Sequence, residues 1–190
     1  MGAPNVDISR SIAVSPAMRI FASQLRASRA LLAREQEVIA GWVGLDRREV
    51  GGWEAGKYKL MSKVAINLRR AYERAGIDFI DACDGLGAGV RLRTPATDDP
   101  HRSAQYRAAR ALADLSQADV AKVARVNRNF VARLELGEVV GVNLTTLAKL
   151  DEAFSKLDII LLAETSKSGL GVRWRTEASG PPNKEDIRSG

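Results

Sequence analysis

The sequence predicts a mainly α-helical chain made of two tandem copies of one small domain, each closed by a short C-terminal β-hairpin. Three observations lead there. The stretch from Gln36 to Glu54 returns eighty-one positions on, where Gln36, Ala40, Val50, Glu54 and Gly56 reappear as Gln117, Ala121, Val131, Glu135 and Gly137. In each copy the apolar spacing and the turn residues read as a helix, a tight turn and a second helix. The repeat also runs on past the helices: Gly89-Val90-Arg91-Leu92-Arg93 returns as Gly171-Val172-Arg173-Trp174-Arg175. That last match is shifted by eighty-two, which implies one inserted residue between Gly137 and Leu150. A repeat kept through its hairpin marks a duplicated domain rather than a coincidence of helical spacing.

Composition narrows the function classes. A chain of 190 residues can form one domain or two small ones, and the repeat decides for two. The formal net charge of +6 and the pI of about 9.8 favour polyanionic partners, although a basic soluble surface has the same balance. One cysteine, Cys83, excludes an intrachain disulfide framework and a cysteine-rich metal site. One histidine, His101, leaves no material for a histidine-based metal or catalytic centre, and Asp98, Asp99 and His101 read as a polar linker cluster. There is no phosphate loop, catalytic triad or pair of catalytic carboxylates, so the chain reads as a non-enzyme without cofactor or metal. No apolar run approaches the roughly 20 residues that a membrane span needs, and no signal peptide is recognisable. A cytoplasmic location is expected.

Residues 1–14 mix Gly, Pro, Asn and Asp without a period and read as a flexible arm. The first domain is expected over 15–93. Ser15-Pro16 starts its first helix, with serine as cap and proline at the first helical position. Ile20, Leu25, Leu31 and Leu32 mark the apolar side of that helix, with Arg26, Arg29 and Arg34 mostly on the other. Gln36 to Val43 forms the second helix. Gly44 takes the sharp turn after it, since glycine reaches positive φ without a Cβ penalty. Asp46 caps the third helix, Arg47 to Ala55, and Gly56 ends it. Ser62 caps a fourth, with Val64, Ala65, Leu68, Ala71 and Tyr72 on its buried side. The period then changes: Ile77 to Ile80 and Val90 to Arg93 read as the strands of a hairpin around the glycine-rich 85–89. Residues 94–102, with Pro95 and Pro100, form a linker; the second domain occupies 103–175; and 176–190 read as a flexible tail.

The third helix of each copy separates its faces in the way a groove-reading helix requires. Val50 and Trp53, like Val131 and Leu134, pack beneath it. Arg47 and Arg48 in the first copy, and Arg128 and Asn129 in the second, stand at its start. There arginine can pair with guanine and asparagine with adenine in the major groove. Gln36 and Gln117 open the preceding helix, where an amide can reach a phosphate or a base edge. The small residues Gly51 and Gly52 either allow close approach to bases or mark a degraded reading head, and the second copy has Ala132 and Arg133 at the same places. Lys57 and Lys59 follow the first recognition helix, while Glu138 follows the second and repels phosphate, so the first copy is expected to hold the backbone more strongly. Glu54 and Glu135 are read as supporting the turn, Trp42, Trp53 and Trp174 as packing residues, and Arg29, Arg69, Arg70 and Arg74 as solvated helix faces.

These residues resemble the Cro/C1-type, or XRE, helix–turn–helix regulators, whose domain is lambda-repressor-like. The resemblance rests on Gln36 with Ile39-Ala40, Gly44-Leu45, Val50 and Trp53-Glu54-Ala55-Gly56, and on Ser116-Gln117, Val120-Ala121, Val131, Glu135 and Gly137. The stretches Ala75–Ile80 and Gly89–Arg93 are similar to a short extension found on many small bacterial members. Four positions depart from the pattern. Glu35 stands where Ser116 caps the second copy, Arg125 replaces the turn glycine, and Gly51-Gly52 weaken the first recognition helix by about 1 kcal/mol each against alanine.

The resemblance implies sequence-specific binding of double-stranded DNA in transcription regulation. With both reading heads in one chain, a covalent pseudo-dimer on an asymmetric or imperfectly palindromic operator is expected. The hairpins can fix the spacing by pairing within the chain, or can pair between chains to give a homodimer. RNA polymerase or another regulator is a candidate further partner. The alternative is a protein-binding antiactivator or antitoxin-like module on the same fold.

Overall fold

Most of the helices begin on a side chain from the residue just before them. In the computed structural model, which describes residues 15–95, 99, 101–141, 143–182 and 187, Ser15 caps the first helix, α1 (Pro16–Leu31), through its hydroxyl, with Pro16 in the first turn. The expected arm at 1–14 and linker residues 96–98 and 100 lie outside the described residues. After α1 come α2 (Gln36–Val43), α3 (Arg47–Glu54), α4 (Lys63–Arg74), β1 (Ile77–Ile80) and β2 (Gly89–Leu92). The same order follows again in α5 (Ser103–Leu112), α6 (Gln117–Ala124), α7 (Arg128–Glu135), α8 (Leu144–Lys156), β3 (Ile159–Leu162) and β4 (Gly171–Trp174). The chain is thus mainly helical, with a small antiparallel sheet.

Backbone conformation repeats even where the residues differ. Gly44 ends α2 with φ at 68°, and Arg125 ends α6 with φ at 53°. The left-handed conformation costs a non-glycine residue about 1 kcal/mol, so Arg125 carries the strain that its position implies. Capping differs too. Glu35 gives α2 no side-chain cap, whereas Ser116 and Asp119 form a reciprocal capping box on α6. On α3 the box is Asp46 with Glu49.

The four strands form one sheet in the order β1-β2-β4-β3, so the two hairpins join edge to edge within a single chain. At the seam Val90 pairs with Val172, flanked by Gly89 with Arg173 and Arg91 with Gly171. Val90 and Val172 are matched positions of the sequence repeat, so the local two-fold relation passes between them. The seam is too tight for side chains at its glycines. A Cβ on Gly89 would lie 2.2 Å from the Val172 carbonyl oxygen, and one on Gly171 would lie 2.4 Å from Arg91 Cβ.

The helices meet across the same relation. α1 and α5 form the largest contact between any two elements, with Ala27, Ala108 and Ala109 fully buried. Small side chains let the backbones approach. Arg26 Nε then donates to the Ala111 carbonyl at 2.9 Å, and Arg107 Nε donates to the Ala30 carbonyl at 2.7 Å. Gln24 reaches the Ile80 and Gly89 carbonyls, and Gln105 reaches those of Leu162 and Gly171, which ties each long helix to its own hairpin. Trp174, fully buried, breaks the relation: its indole N–H donates to Ser23 of α1. Past β4, Thr176 and Ser179 close a turn, and Gly180 comes up against Ile20, so residues of the expected flexible tail lie along α1.

Candidate nucleic-acid interface

Two helix pairs, α2–α3 and α6–α7, present the residues that the sequence singles out. Arg47 and Arg48 are exposed at the start of α3, and Arg128 and Asn129 are exposed at the start of α7. Their local geometry follows from the caps just before them. Asp46 accepts from the Glu49 amide at 2.8 Å, and Asn127 accepts from the Asn129 amide at 2.7 Å. Both side chains are spent on the backbone, which leaves the next residues free to point outward. Arg133 is exposed one turn further along α7, and its Nη2 donates to the Glu138 carbonyl at 3.2 Å. Lys57 and Lys59 are exposed in the segment after α3.

Behind each pair lies an acidic anchor. Arg29 Nε and Nη2 donate to the two carboxylate oxygens of Glu54 at 2.6 and 3.0 Å, and Gln36 Nε2 donates to Oε2 at 2.8 Å. The second half repeats the arrangement with Arg110, Glu135 and Gln117 at 2.6, 2.8 and 3.0 Å. The candidate groove residues Gln36 and Gln117 therefore have one amide hydrogen committed inward, with the carbonyl and the other hydrogen left to act outward. Gly51 lies beside this amide: a Cβ there would lie 3.6 Å from Gln36 Nε2. Burial alone would lower the Arg29 pKa, but the hydrogen bond and charge of Glu54 outweigh it, and the net shift is upward.

The reading of Arg29 as a solvated face is therefore corrected. It sits between α1 and α3 in a fork-on-fork ion pair with Glu54, whose side chain is only 4% exposed. Arg69 pairs with Glu73 and Asp81 and lies 5.0 Å over the Phe79 ring. Trp53 and Trp174 are buried as packing residues, but Trp42 remains 39% exposed, with its ring edge against Tyr72. Arg26, placed on the outer side of α1 by periodicity, is 12% exposed at its side chain, and burial pulls its pKa down. Gln24 and Arg26 recur eighty-one positions on as Gln105 and Arg107, and nothing local to the helix gives these residues a task. The signal was available: polar residues that recur at the same places on two apolar helices are held there by a partner.

A helix-turn-helix family model matches residues 107–159. The match runs from within α5, through the α6–α7 pair and α8, to the first residue of β3. The match is to a helix–turn–helix of the XRE type, a DNA-binding regulatory domain. No curated protein and no solved structure matches the chain. The helix–turn–helix in the matched segment is α6, the turn at Arg125 and α7, so Gln117, Arg128, Asn129 and Arg133 all fall inside it. Among the described residues, no helix is long and apolar enough to cross a membrane.

Proposed function

We propose that the chain is a sequence-specific, double-stranded-DNA-binding transcription regulator with two helix–turn–helix domains, 15–93 and 103–175, acting as a covalent pseudo-dimer. The observation that carries this reading is the reciprocal contact between the halves. Arg26 holds Ala111 while Arg107 holds Ala30, and Val90 pairs with Val172. Dimeric readers of DNA hold two recognition helices at a spacing set by their interface, so that each meets its own half-site. A rigid interface inside one chain does the same work without a second copy.

The two heads differ, so the operator is asymmetric or an imperfect inverted repeat. The N-terminal head offers Gln36, Arg47, Arg48 and Gly51, with Lys57 and Lys59 on the phosphates. The C-terminal head offers Gln117, Arg128, Asn129 and Arg133. The N-terminal head is the stronger backbone anchor, because Glu138 stands on the second where Lys57 stands on the first. Recovery of bound duplexes from a random pool tests the whole reading, with asymmetric sites expected. On such a duplex, Arg47→Ala or Arg128→Ala should cost about 1–3 kcal/mol and relax preference at one position. Lys57→Ala should weaken all sequences alike and flatten the salt dependence. Unchanged binding after loss of Arg47, Arg48, Arg128 and Asn129 together, with a protein partner still captured, would move the function to the protein-binding class.

A further inference from the structure

Gly52 sits inside a helix where alanine would be more favourable by about 1 kcal/mol, yet it is buried. The structure shows what covers it. The ring of Tyr58, from the segment after α3, lies on Gly52: a Cβ there would be 3.0 Å from Tyr58 Cε2 and 3.2 Å from its hydroxyl oxygen. The same ring stacks on Trp53 with centroids 4.2 Å apart and planes 23° from parallel. It is still 36% exposed. In the repeat, Gly52 corresponds to Arg133 and Tyr58 to Val139. The C-terminal half thus has an arginine rising from the helix itself, and beside it an open groove lined by Asn129, Phe130, Arg133, Val139 and Val140. The N-terminal half has a tyrosine folded back over a bare helix at the corresponding place.

Resting on the DNA-binding reading above, we infer that Tyr58 is a DNA-contacting residue of the N-terminal head, seated by Gly52 in the place that Arg133 holds in the other. The chemistry suits the position. A stacked tyrosine is a rigid, amphipathic surface with few torsions to freeze, and its hydroxyl can donate to an acceptor on the DNA. It brings no charge, so this head reads its site by shape and a neutral hydrogen bond where the other presents a guanidinium. The exchange also accounts for both unusual residues at once: the glycine makes room, and Trp53 fixes the ring.

The test uses the full chain and a duplex that it selects from a random-sequence pool. Tyr58→Phe keeps the ring and its stack and removes only the hydroxyl, so affinity should fall about three- to tenfold with an unchanged melting temperature. Gly52→Ala should give a similar or larger loss by pushing the ring aside. A loss confined to one base position identifies a base edge as the acceptor, and an equal loss on all sequences identifies a phosphate; either supports the assignment. If Arg47→Ala impairs binding while Tyr58→Phe and Gly52→Ala both bind as the parent chain does, the assignment is overturned and the DNA-binding reading stands. If the parent chain selects no duplex, the DNA-binding reading itself fails, and the assignment falls with it.

Discussion

Glu54 and Glu135 are almost sealed from water, and each accepts three hydrogen bonds from an arginine fork and a glutamine amide. A buried carboxylate is tolerated only when paired in this way, because desolvation alone costs several kcal/mol per ion. The pairs link α1 to α3 and α5 to α7, and each also holds the glutamine that opens the helix between them. Glu54→Gln should therefore cost about 3 kcal/mol in urea denaturation, because it leaves the Arg29 guanidinium partly buried without its countercharge. Glu73→Gln breaks a pair with Arg69 that is more than a third exposed at both side chains, and should cost under about 1 kcal/mol. Similar losses for the two variants would mean that the Glu54 site is wetter than the structure has it.

At the scale of elements, the sheet seam depends on missing side chains. Gly87 and Gly169 repeat the crowding seen at Gly89 and Gly171, each with a backbone oxygen 2.3 Å from where a Cβ would stand. The recurring glycines of the two hairpins are thus a requirement of close approach between β2 and β4. Gly89→Ala should destabilise the protein by about 3 kcal/mol, since overpacking against backbone has no flexible neighbour to give way. Gly41→Ala is the matched control on α2, with nothing within 4 Å of its added Cβ. It should stabilise by about 0.5–1 kcal/mol through helix propensity. Thermal melts of the two variants should therefore move in opposite directions, and a common direction would contradict the seam geometry.

Across the whole molecule, the halves are joined at two levels, by the α1–α5 contact and by the continuous sheet. Elements that share buried contacts unfold together. A single cooperative transition is expected, coincident by near-ultraviolet and far-ultraviolet circular dichroism. Arg26→Ala with Arg107→Ala removes the hydrogen bonds to Ala111, Leu112 and Glu54 on one side and to Ala30 and Glu135 on the other. The double variant should lose stability and lose affinity for its selected duplex by more than either single change, because the spacing of the heads loosens. Sedimentation of the parent chain on that duplex should give one chain per site. Two chains per site would replace the proposed internal pseudo-dimer with an intermolecular one.

The sequence alone determined the repeat, the helices and their ends, and the strands. Ser15, Gly44, Asp46 and Gly56 act through neighbours no more than a few residues away, and such local rules can be read along a chain. The exposure of Arg47, Arg48, Arg128 and Asn129 was legible for the same reason, since the start of a capped helix is exposed by its geometry. The tertiary structure decided what the repeated polar residues are for. Arg26 and Arg29 sit on a face that periodicity marks as outer, Gln24 recurs as Gln105 with no local partner, and only the approach of a distant helix or hairpin gives each its bond. The placement of Tyr58 on Gly52 was likewise hidden, because it depends on how the chain folds back after α3. Local propensity fixes where an element begins and which way it faces; a buried hydrogen bond or a close approach needs two elements, and no single stretch of sequence contains both.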